Sequence, residues 1–79
     1  PVLPWSLEVR LDGRPVPAKA DPGRERTVWL RTSGTTEERL VTLEIANKSV
    51  AVVASVQLAD QEGLLLGRDV LSGRFLLRP

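Results

Sequence analysis

The feature that most restricts the fold of this chain is a two-residue alternation of apolar and other side chains, repeated in short segments along its length. The longest is VAVVASVQLA at 50–59, and WSLEVRL at 5–11 and TVWLRT at 27–32 show the same period. Successive side chains of a β-strand point to opposite faces, so this period predicts strands with one buried face. The chain is therefore expected to be rich in β-structure.

Turn residues separate these segments. Asp12-Gly13 is typical of a two-residue hairpin, ADPGRER at 20–26 carries proline and glycine, and ADQEG at 59–63 ends in glycine. Pro15 and Pro17 confine the strand after the first hairpin to a sheet edge or to an unpaired path. GLLLG at 63–67 and GRFLLRP at 73–79 add further short strands. This regular spacing is typical of a β-sandwich or a β-barrel.

The segment 35–48 has two interpretations. Ser33 and Glu37 are placed to cap a helix, and a helix here would replace an all-β fold by a β-grasp or another α+β arrangement. As a strand, the same segment puts Val41, Leu43 and Ile45 on one face, whereas a helix scatters them over a wide arc. We therefore predict a strand.

The composition restricts the chemistry. The 79 residues include no cysteine and no histidine, which removes thiolate chemistry, the commonest general base and the commonest metal ligand. Eleven basic residues balance ten acidic ones, so a nucleic-acid binder is not the first expectation. We predict a protein that is not an enzyme, with no catalytic residues, no metal and no cofactor. No apolar run of membrane-spanning length occurs either.

The run LVTLEIANKSVAVVASVQLADQEGLLLG at 40–67 resembles bacterial extracytoplasmic immunoglobulin-like and fibronectin-like modules. In those modules a strand ends in asparagine and a small polar residue, an alternating aliphatic strand follows, and a D-x-x-G turn leads onward. The matching residues here are Asn47, Ser49, Asp60 and Gly63. The resemblance implies an accessory module outside the cytoplasm that spaces domains, adheres or docks.

The predicted fold is therefore all-β, a two-sheet immunoglobulin-like sandwich of six or seven short strands, with a small β-barrel as the alternative. Residues 1–79 are too few for two cores and are expected to form one module. A chain that begins with Pro1 and lacks methionine is expected to be part of a longer protein. The predicted core comprises Val9, Leu11, Val28, Leu30, Val41, Leu43, Ile45, Val52, Val56, Leu58, Leu66, Phe75 and Leu77.

The main candidate binding surface combines arginines with a tryptophan. Trp29 is out of phase with Val28 and Leu30, which predicts an exposed anchor for a partner. The arginines that strand pairing could gather beside it are Arg10, Arg14, Arg24, Arg26 and Arg31. Such a patch suits a protein partner, or single-stranded nucleic acid if the fold is a barrel. Acidic residues interleave with these arginines, so salt-bridged surface strands are the simpler interpretation.

Three other features have simple structural explanations. Asn47, Lys48 and Ser49 form a glycosylation acceptor pattern, but a turn asparagine between two strands is the favoured interpretation. Ser33, Gly34, Thr35 and Thr36 lack the lysine and second glycine of a phosphate-binding loop. Trp5 with Trp29 would suit sugar stacking, although tryptophan in a small domain more often packs in the core.

The function predicted from the sequence is a non-catalytic accessory module that docks a protein partner or positions neighbouring domains. The alternative is a small β-barrel that binds nucleic acid through its arginines and Trp29.

Overall fold

The computed structural model describes residues 2–77 and contains, within them, eight strands and one short helix. The strands are β1 (Val2–Leu3), β2 (Ser6–Leu11), β3 (Arg14–Ala20), β4 (Val28–Arg31), β5 (Arg39–Ile45), β6 (Lys48–Leu58), β7 (Gly63–Leu66) and β8 (Leu76–Leu77). The helix α1 spans Arg68–Leu71. The last predicted strand was placed over 73–79, and residues 78–79 lie outside the described part of the chain.

Six of the strands close into one barrel in the order β2-β3-β7-β4-β6-β5, with β5 returning to β2. The immunoglobulin-like two-sheet sandwich predicted from the sequence is therefore wrong, and the small β-barrel alternative fits. Closure rests on a short antiparallel contact in which Arg10 and Leu11 pair with Glu44 and Leu43. The alternation of inward and outward side chains is the same in a sandwich and a barrel, so it does not reveal this closure.

Each of two tight hairpins has two consecutive residues with positive φ, a conformation that Asp12, Gly13 and Asn47 tolerate and that is unusual for Ala46. Asp12 and Gly13, at φ 49° and 87°, connect β2 to β3. Ala46 and Asn47, at φ 49° and 68°, connect β5 to β6. Two consecutive positive φ values suit the right-handed twist of the flanking strands. The predicted Asp-Gly hairpin and the turn position of Asn47 are thus confirmed, as is the strand, not helix, in 39–45.

The prolines of β3 lie inside the barrel sheet and not on an unpaired path. β3 pairs along its length with β2, and from Ala18 onward it also pairs in parallel with β7. In this hairpin Pro15 and Pro17 alternate with the residues that exchange hydrogen bonds with β2, so their nitrogens face the β7 side before the β7 pairing begins. No ladder hydrogen bond is lost there, because at both prolines β3 is paired on one side only; the prolines are locally at an edge, as predicted, although the strand as a whole belongs to the closed barrel.

Parallel pairing makes the barrel mixed. β3 pairs in parallel with β7, and β4 pairs in parallel with β6 and antiparallel with β7. β4 therefore lies between two strands that follow it in the sequence, and the chain crosses to this place through residues 21–27. Outside the barrel, β1 and β8 form a separate two-stranded parallel sheet.

The core fills the barrel with aliphatic side chains, as the alternation predicts. Most of the predicted core is buried, while Leu30 and Leu77 are half-buried and Leu58 is 56% exposed. Leu58 faces inward but is the last residue of β6, so it lies at the open end of the barrel. Buried hydrophobic residues that the prediction omitted are Leu3, Val16, Ala18, Ala20, Trp29, Val50, Ala54, Leu64, Val70 and Leu71.

The helix α1 was not predicted, and it is too short to cross a membrane. No helix in residues 2–77 is long and apolar enough for that. The helix follows Gly67, which packs against the backbone of the segment leading into β4. A Cβ on Gly67 would lie 2.5 Å from the carbonyl carbon of Arg26 and 2.9 Å from the nitrogen of Thr27. Only glycine permits this approach, because both opposing atoms belong to the backbone.

We expect Gly67→Ala to destabilise the fold by about 2 kcal/mol or more, because a methyl group there must displace backbone. The free energy of unfolding from denaturant titration measures this effect.

Gly23→Ala is the matched control, since a Cβ there meets only Asp21 Oδ1, at an ordinary 3.5 Å. Equal stability of the two variants would show that the approach at Gly67 does not restrict the fold.

Candidate functional site

Trp29 lies inside the barrel, contrary to the prediction that it is an exposed anchor. Its residue exposure is 5%, and it belongs to the core cluster. The inner and outer faces of β4 were assigned the wrong way round, because Val28 is also buried and both faces of this central strand look apolar. Trp29 therefore contacts polar side chains from inside the barrel, and its ring is not exposed as an anchor for a partner.

Glu62 connects the Trp29 indole to Arg14. Trp29 Nε1 donates a hydrogen bond to Glu62 Oε2 at 3.1 Å. Arg14 donates to both oxygens of the same carboxylate, from Nη1 to Oε1 at 2.5 Å and from Nη2 to Oε2 at 2.7 Å. A bidentate arginine–carboxylate pair of this kind has a defined geometry.

Two further arginines lie against the Trp29 ring. The guanidinium carbon of Arg31 is 4.6 Å from the ring centroid, and that of Arg39 is 6.0 Å from it. These distances are within the range of cation–π attraction. Neither guanidinium forms a salt bridge to a carboxylate within residues 2–77. We call Trp29, Arg14, Arg31, Arg39 and Glu62 the tryptophan cluster.

The topology explains why these residues meet. Arg31 ends β4, Arg39 begins β5, Arg14 begins β3 and Glu62 immediately precedes β7. The parallel and antiparallel pairings place all four of these strand ends at the same end of the barrel. Each residue is also two positions from an inward-facing one, so its side chain points toward the barrel axis. Charged groups thus close the end at which the aliphatic core stops.

Electrostatics favour the ionised carboxylate in this cluster. The hydrogen bond from Arg14 lowers the pKa of Glu62, the hydrogen bond from Trp29 and the charges of Arg14 and Arg31 act in the same direction, and partial burial opposes them. The same pair raises the pKa of Arg14. Glu62 therefore acts as a hydrogen-bond acceptor and is poorly suited to take up a proton at neutral pH.

Of the predicted arginines, Arg31 contacts Trp29 directly and Arg14 is connected to it through Glu62. Arg24 donates from Nε to Asp21 Oδ2 at 2.9 Å, and Arg26 pairs with Glu38. Arg10 is exposed on β2, on the outward face. Salt-bridged surface residues were the simpler interpretation of these arginines, and for Arg24 and Arg26 it is confirmed.

Sequence reasoning missed Arg39 and Glu62. A signal for Arg39 was present, because it continues the inward series of Val41, Leu43 and Ile45. Glu62 likewise continues the series of Leu64 and Leu66. Both were overlooked because charged residues are not expected on an inward face, and the barrel end that accommodates them was not known.

The loop 32–38 crosses from β4 to β5 past the end of β6, and all its residues are exposed. It contains Ser33, Gly34, Thr35 and Thr36, the segment considered as a phosphate cradle. Gly34, at φ 105°, lies against Arg31, and a Cβ there would be 3.2 Å from Arg31 Nη1. The loop therefore packs on the arginine.

Exposed aliphatic side chains lie on the strands that carry Arg31 and Arg39 and on the adjacent β6, with Leu58 on the inward face and Leu40 and Val53 on the outer wall of the barrel. Leu40 follows Arg39 in β5, is 71% exposed and pairs across the strands with Val53, which is 46% exposed. Leu58 is paired with Arg31 at the end of β6. We call Leu40, Val53 and Leu58 the aliphatic rim.

A largely apolar groove of about 330 Å³ borders the same cluster on the side of Glu62. Leu7, Pro17, Ala18, Leu30 and Leu64 line it together with Glu62. It lies where β3 and β7 begin to separate. Within residues 2–77 no group of three or more acidic side chains is placed to hold a metal ion.

Comparison with known proteins shows a similarity of fold. No family model and no curated protein matches this sequence. A solved protein of unknown function (DUF785) from Legionella pneumophila is similar over 99% of this chain and 92% of its own, with TM-score 0.77 and 12% identity. The EIAV protease, solved with an inhibitor, is similar over 84% of this chain and 83% of its own, with TM-score 0.62 and 20% identity. These low identities establish the architecture and no activity.

We expect the contribution of Glu62 to stability to depend on pH. Because its folded pKa is lowered, the contribution is present above the unfolded pKa and is lost as the pH falls through the folded value. The difference in unfolding free energy between the wild type and Glu62→Gln should therefore shrink between about pH 6 and about pH 3. Denaturant titrations across this range measure it.

Glu8→Gln is the control, because Glu8 lies on the exposed face of β2 and its substitution shows how loss of a surface carboxylate alone changes the unfolding free energy. A difference for Glu62→Gln that grows toward acid pH would contradict the role of the Arg14 bond.

Proposed function

We propose that this chain is a non-catalytic module that docks a protein partner at the end of the barrel formed by the tryptophan cluster and the aliphatic rim. The observation that carries the proposal is the aliphatic rim itself, three exposed side chains on strands near Arg31 and Arg39, two arginines that form no salt bridge within residues 2–77. Apolar residues and arginine are characteristic of protein interfaces. The closed barrel supports the proposal because it holds these residues on paired strands.

Nucleic acid fits this surface less well than protein. Single-stranded nucleic acid binds through a positive groove with aromatic faces on which bases stack. Trp29 is buried and its ring is already occupied by Arg31 and Arg39. The nucleic-acid alternative predicted from the sequence depended on an exposed Trp29 and loses its main support.

Two hydrogen-bonded carboxylates also favour a non-catalytic role. Glu62 accepts hydrogen bonds from Arg14 and Trp29 and has a lowered pKa, whereas a general base needs a pKa nearer the working pH. Asp69 accepts hydrogen bonds from Thr27 on both its oxygens and so acts as a structural partner.

We expect peptides selected from a displayed random library on the immobilised domain to bind less well, by about tenfold or more, to Leu40→Ser/Val53→Ser. The reason is that the two substitutions remove apolar contacts from the rim, and a loss of about 1.4 kcal/mol in binding free energy weakens the affinity by a factor of ten. Fluorescence polarisation with the selected peptides measures the affinities.

Leu76→Ser is the matched control, because Leu76 is equally exposed but lies on β8, outside the barrel. Failure to select any peptide, or equal binding to the rim variant and the wild type, would reject docking at this surface.

Peptide hydrolysis is a second candidate, favoured by the similarity of the fold to a protease. Without histidine or cysteine, the protein has carboxylates as its remaining candidates, and aspartic proteases use two that share one proton. Asp21 is half-buried in the Asp-Pro-Gly turn directly after β3, and its N–H donates to the Leu66 carbonyl at 2.8 Å. A pair built on this turn would require Asp21 of a second copy. A shared fold by itself does not carry activity.

Under this second candidate the protein cleaves an unfolded polypeptide between about pH 4 and pH 6, and Asp21→Asn abolishes cleavage while Asp60→Asn does not. Mass spectrometry of the products measures this. Absence of cleavage by the wild type, or equal cleavage by Asp21→Asn, would eliminate the candidate.

A further inference from the structure

The tryptophan cluster contains more positive than negative charge. Its three arginines face one carboxylate, that of Glu62, and Arg14 already occupies both oxygens of this group. Arg31 and Arg39 therefore have cation–π contacts to Trp29 but no carboxylate within residues 2–77. Arg31 acts on Glu62 through its charge alone, and neither guanidinium has a carboxylate in direct contact there, so the ion-pair network is incomplete.

We propose that Arg31 and Arg39 bind the carboxylate of an aspartate or glutamate side chain in a docked partner peptide. The proposal rests on the proposed docking function and names the chemistry of its partner. A carboxylate supplies the planar acceptor that a guanidinium recognises with two parallel hydrogen bonds.

The contacts with Trp29 prepare the arginines for such a ligand. A guanidinium has five N–H donors, so those that neither the ring nor the loop covers remain available to a ligand. The loop at Gly34 packs against the Arg31 guanidinium and restricts it further. Side chains that are already restricted lose less conformational entropy when a ligand binds.

The charge balance favours a carboxylate over a phosphate group. Glu62 approaches the same ring through Trp29 Nε1, and its negative charge repels an incoming anion. A phosphate monoester carries about −2 charge at neutral pH, whereas a carboxylate carries a single charge. The repulsion is therefore smaller for the carboxylate. The buried Trp29 also gives a nucleobase no free face.

The surroundings indicate which residues accompany the acidic one. Leu58 pairs with Arg31 and points to the same side of the sheet, whereas Leu40 follows Arg39 and points to the outer wall of the barrel, and both leucines are exposed. A segment that places an acidic residue at the two arginines therefore has an aliphatic contact available at Leu58. A peptide in which aliphatic and acidic residues alternate supplies both kinds of side chain.

The test uses acetyl-Leu-Glu-Leu-Glu-Leu-amide and the same peptide with glutamine in place of both glutamates. Each is titrated into the ¹⁵N-labelled protein, and NMR follows the backbone amides and the arginine Nε–Hε signals. We expect the glutamate peptide to bind about tenfold or more tightly than the glutamine peptide, because an ionic hydrogen bond is lost in the latter. The Nε–Hε signals of Arg31 and Arg39 should shift with the glutamate peptide.

Arg31→Gln and Arg39→Gln should each abolish most of this preference, and Arg31→Lys, which keeps the charge but not the planar fork, should retain part of it. Arg10→Gln, the same charge change on the outward face of β2, should leave it intact. Thermal melting of each variant separates loss of binding from loss of fold.

Equal binding of the two peptides, or a preference that survives both glutamine variants, would overturn the carboxylate site. If inorganic phosphate or an oligo-dT strand binds more tightly than the glutamate peptide and shifts the same arginine Nε–Hε signals, the site is a phosphate site and the carboxylate proposal is overturned. If selected peptides still require Leu40 and Val53 while the arginine variants have no effect, the carboxylate site fails and the docking function stands. If the rim variant has no effect either, both fail.

Discussion

The structure depends on a hydrogen-bonded contact between Thr27 and the segment Gly67–Asp69. The Thr27 hydroxyl donates to Asp69 Oδ1 at 2.7 Å and its N–H donates to Oδ2 at 3.0 Å, while the Gly67 N–H donates to the Thr27 hydroxyl oxygen at 3.1 Å. Thr27 is fully buried, so each of these groups would be costly to leave unpaired. Backbone bonds from Arg68 and Asp69 to the carbonyls of Arg24 and Glu25 extend the contact.

This contact determines where β4 lies. Thr27 immediately precedes β4, and Gly67 immediately follows β7, so the bonds hold the start of one strand against the end of the other. β4 is then fixed antiparallel to β7, and its other edge accepts β6 in parallel. Trp29, two residues further along the same face, is placed inside the opposite end of the barrel. The geometry of the tryptophan cluster therefore follows from a contact at the other end of the strand.

At the candidate site, the inward-facing side chains of the strands change from aliphatic to charged, because the barrel ends there. Within β5 the inward series is aliphatic, but its first member is Arg39, which lies where water reaches the interior. Arg14 and Glu62 occupy the same position on β3 and before β7. Arg14 and Glu62 bond to each other, Glu62 bonds to Trp29, and Arg31 and Arg39 lie against its ring, so the apolar core is closed by a polar layer.

The sequence alone determined the local structure of this protein. The alternation located the strands, Asp12-Gly13 and Asn47 marked the hairpins, and the period of Val41, Leu43 and Ile45 excluded a helix in that segment. These features depend on the backbone preferences of neighbouring residues and on the two faces of a strand.

Only the tertiary structure decided that the strands close into a barrel, that Trp29 faces inward, and that Arg31 and Arg39 meet at its ring. These features depend on which strands pair across long stretches of sequence. The side-chain period is the same for every such pairing, so the alternation could not distinguish among them.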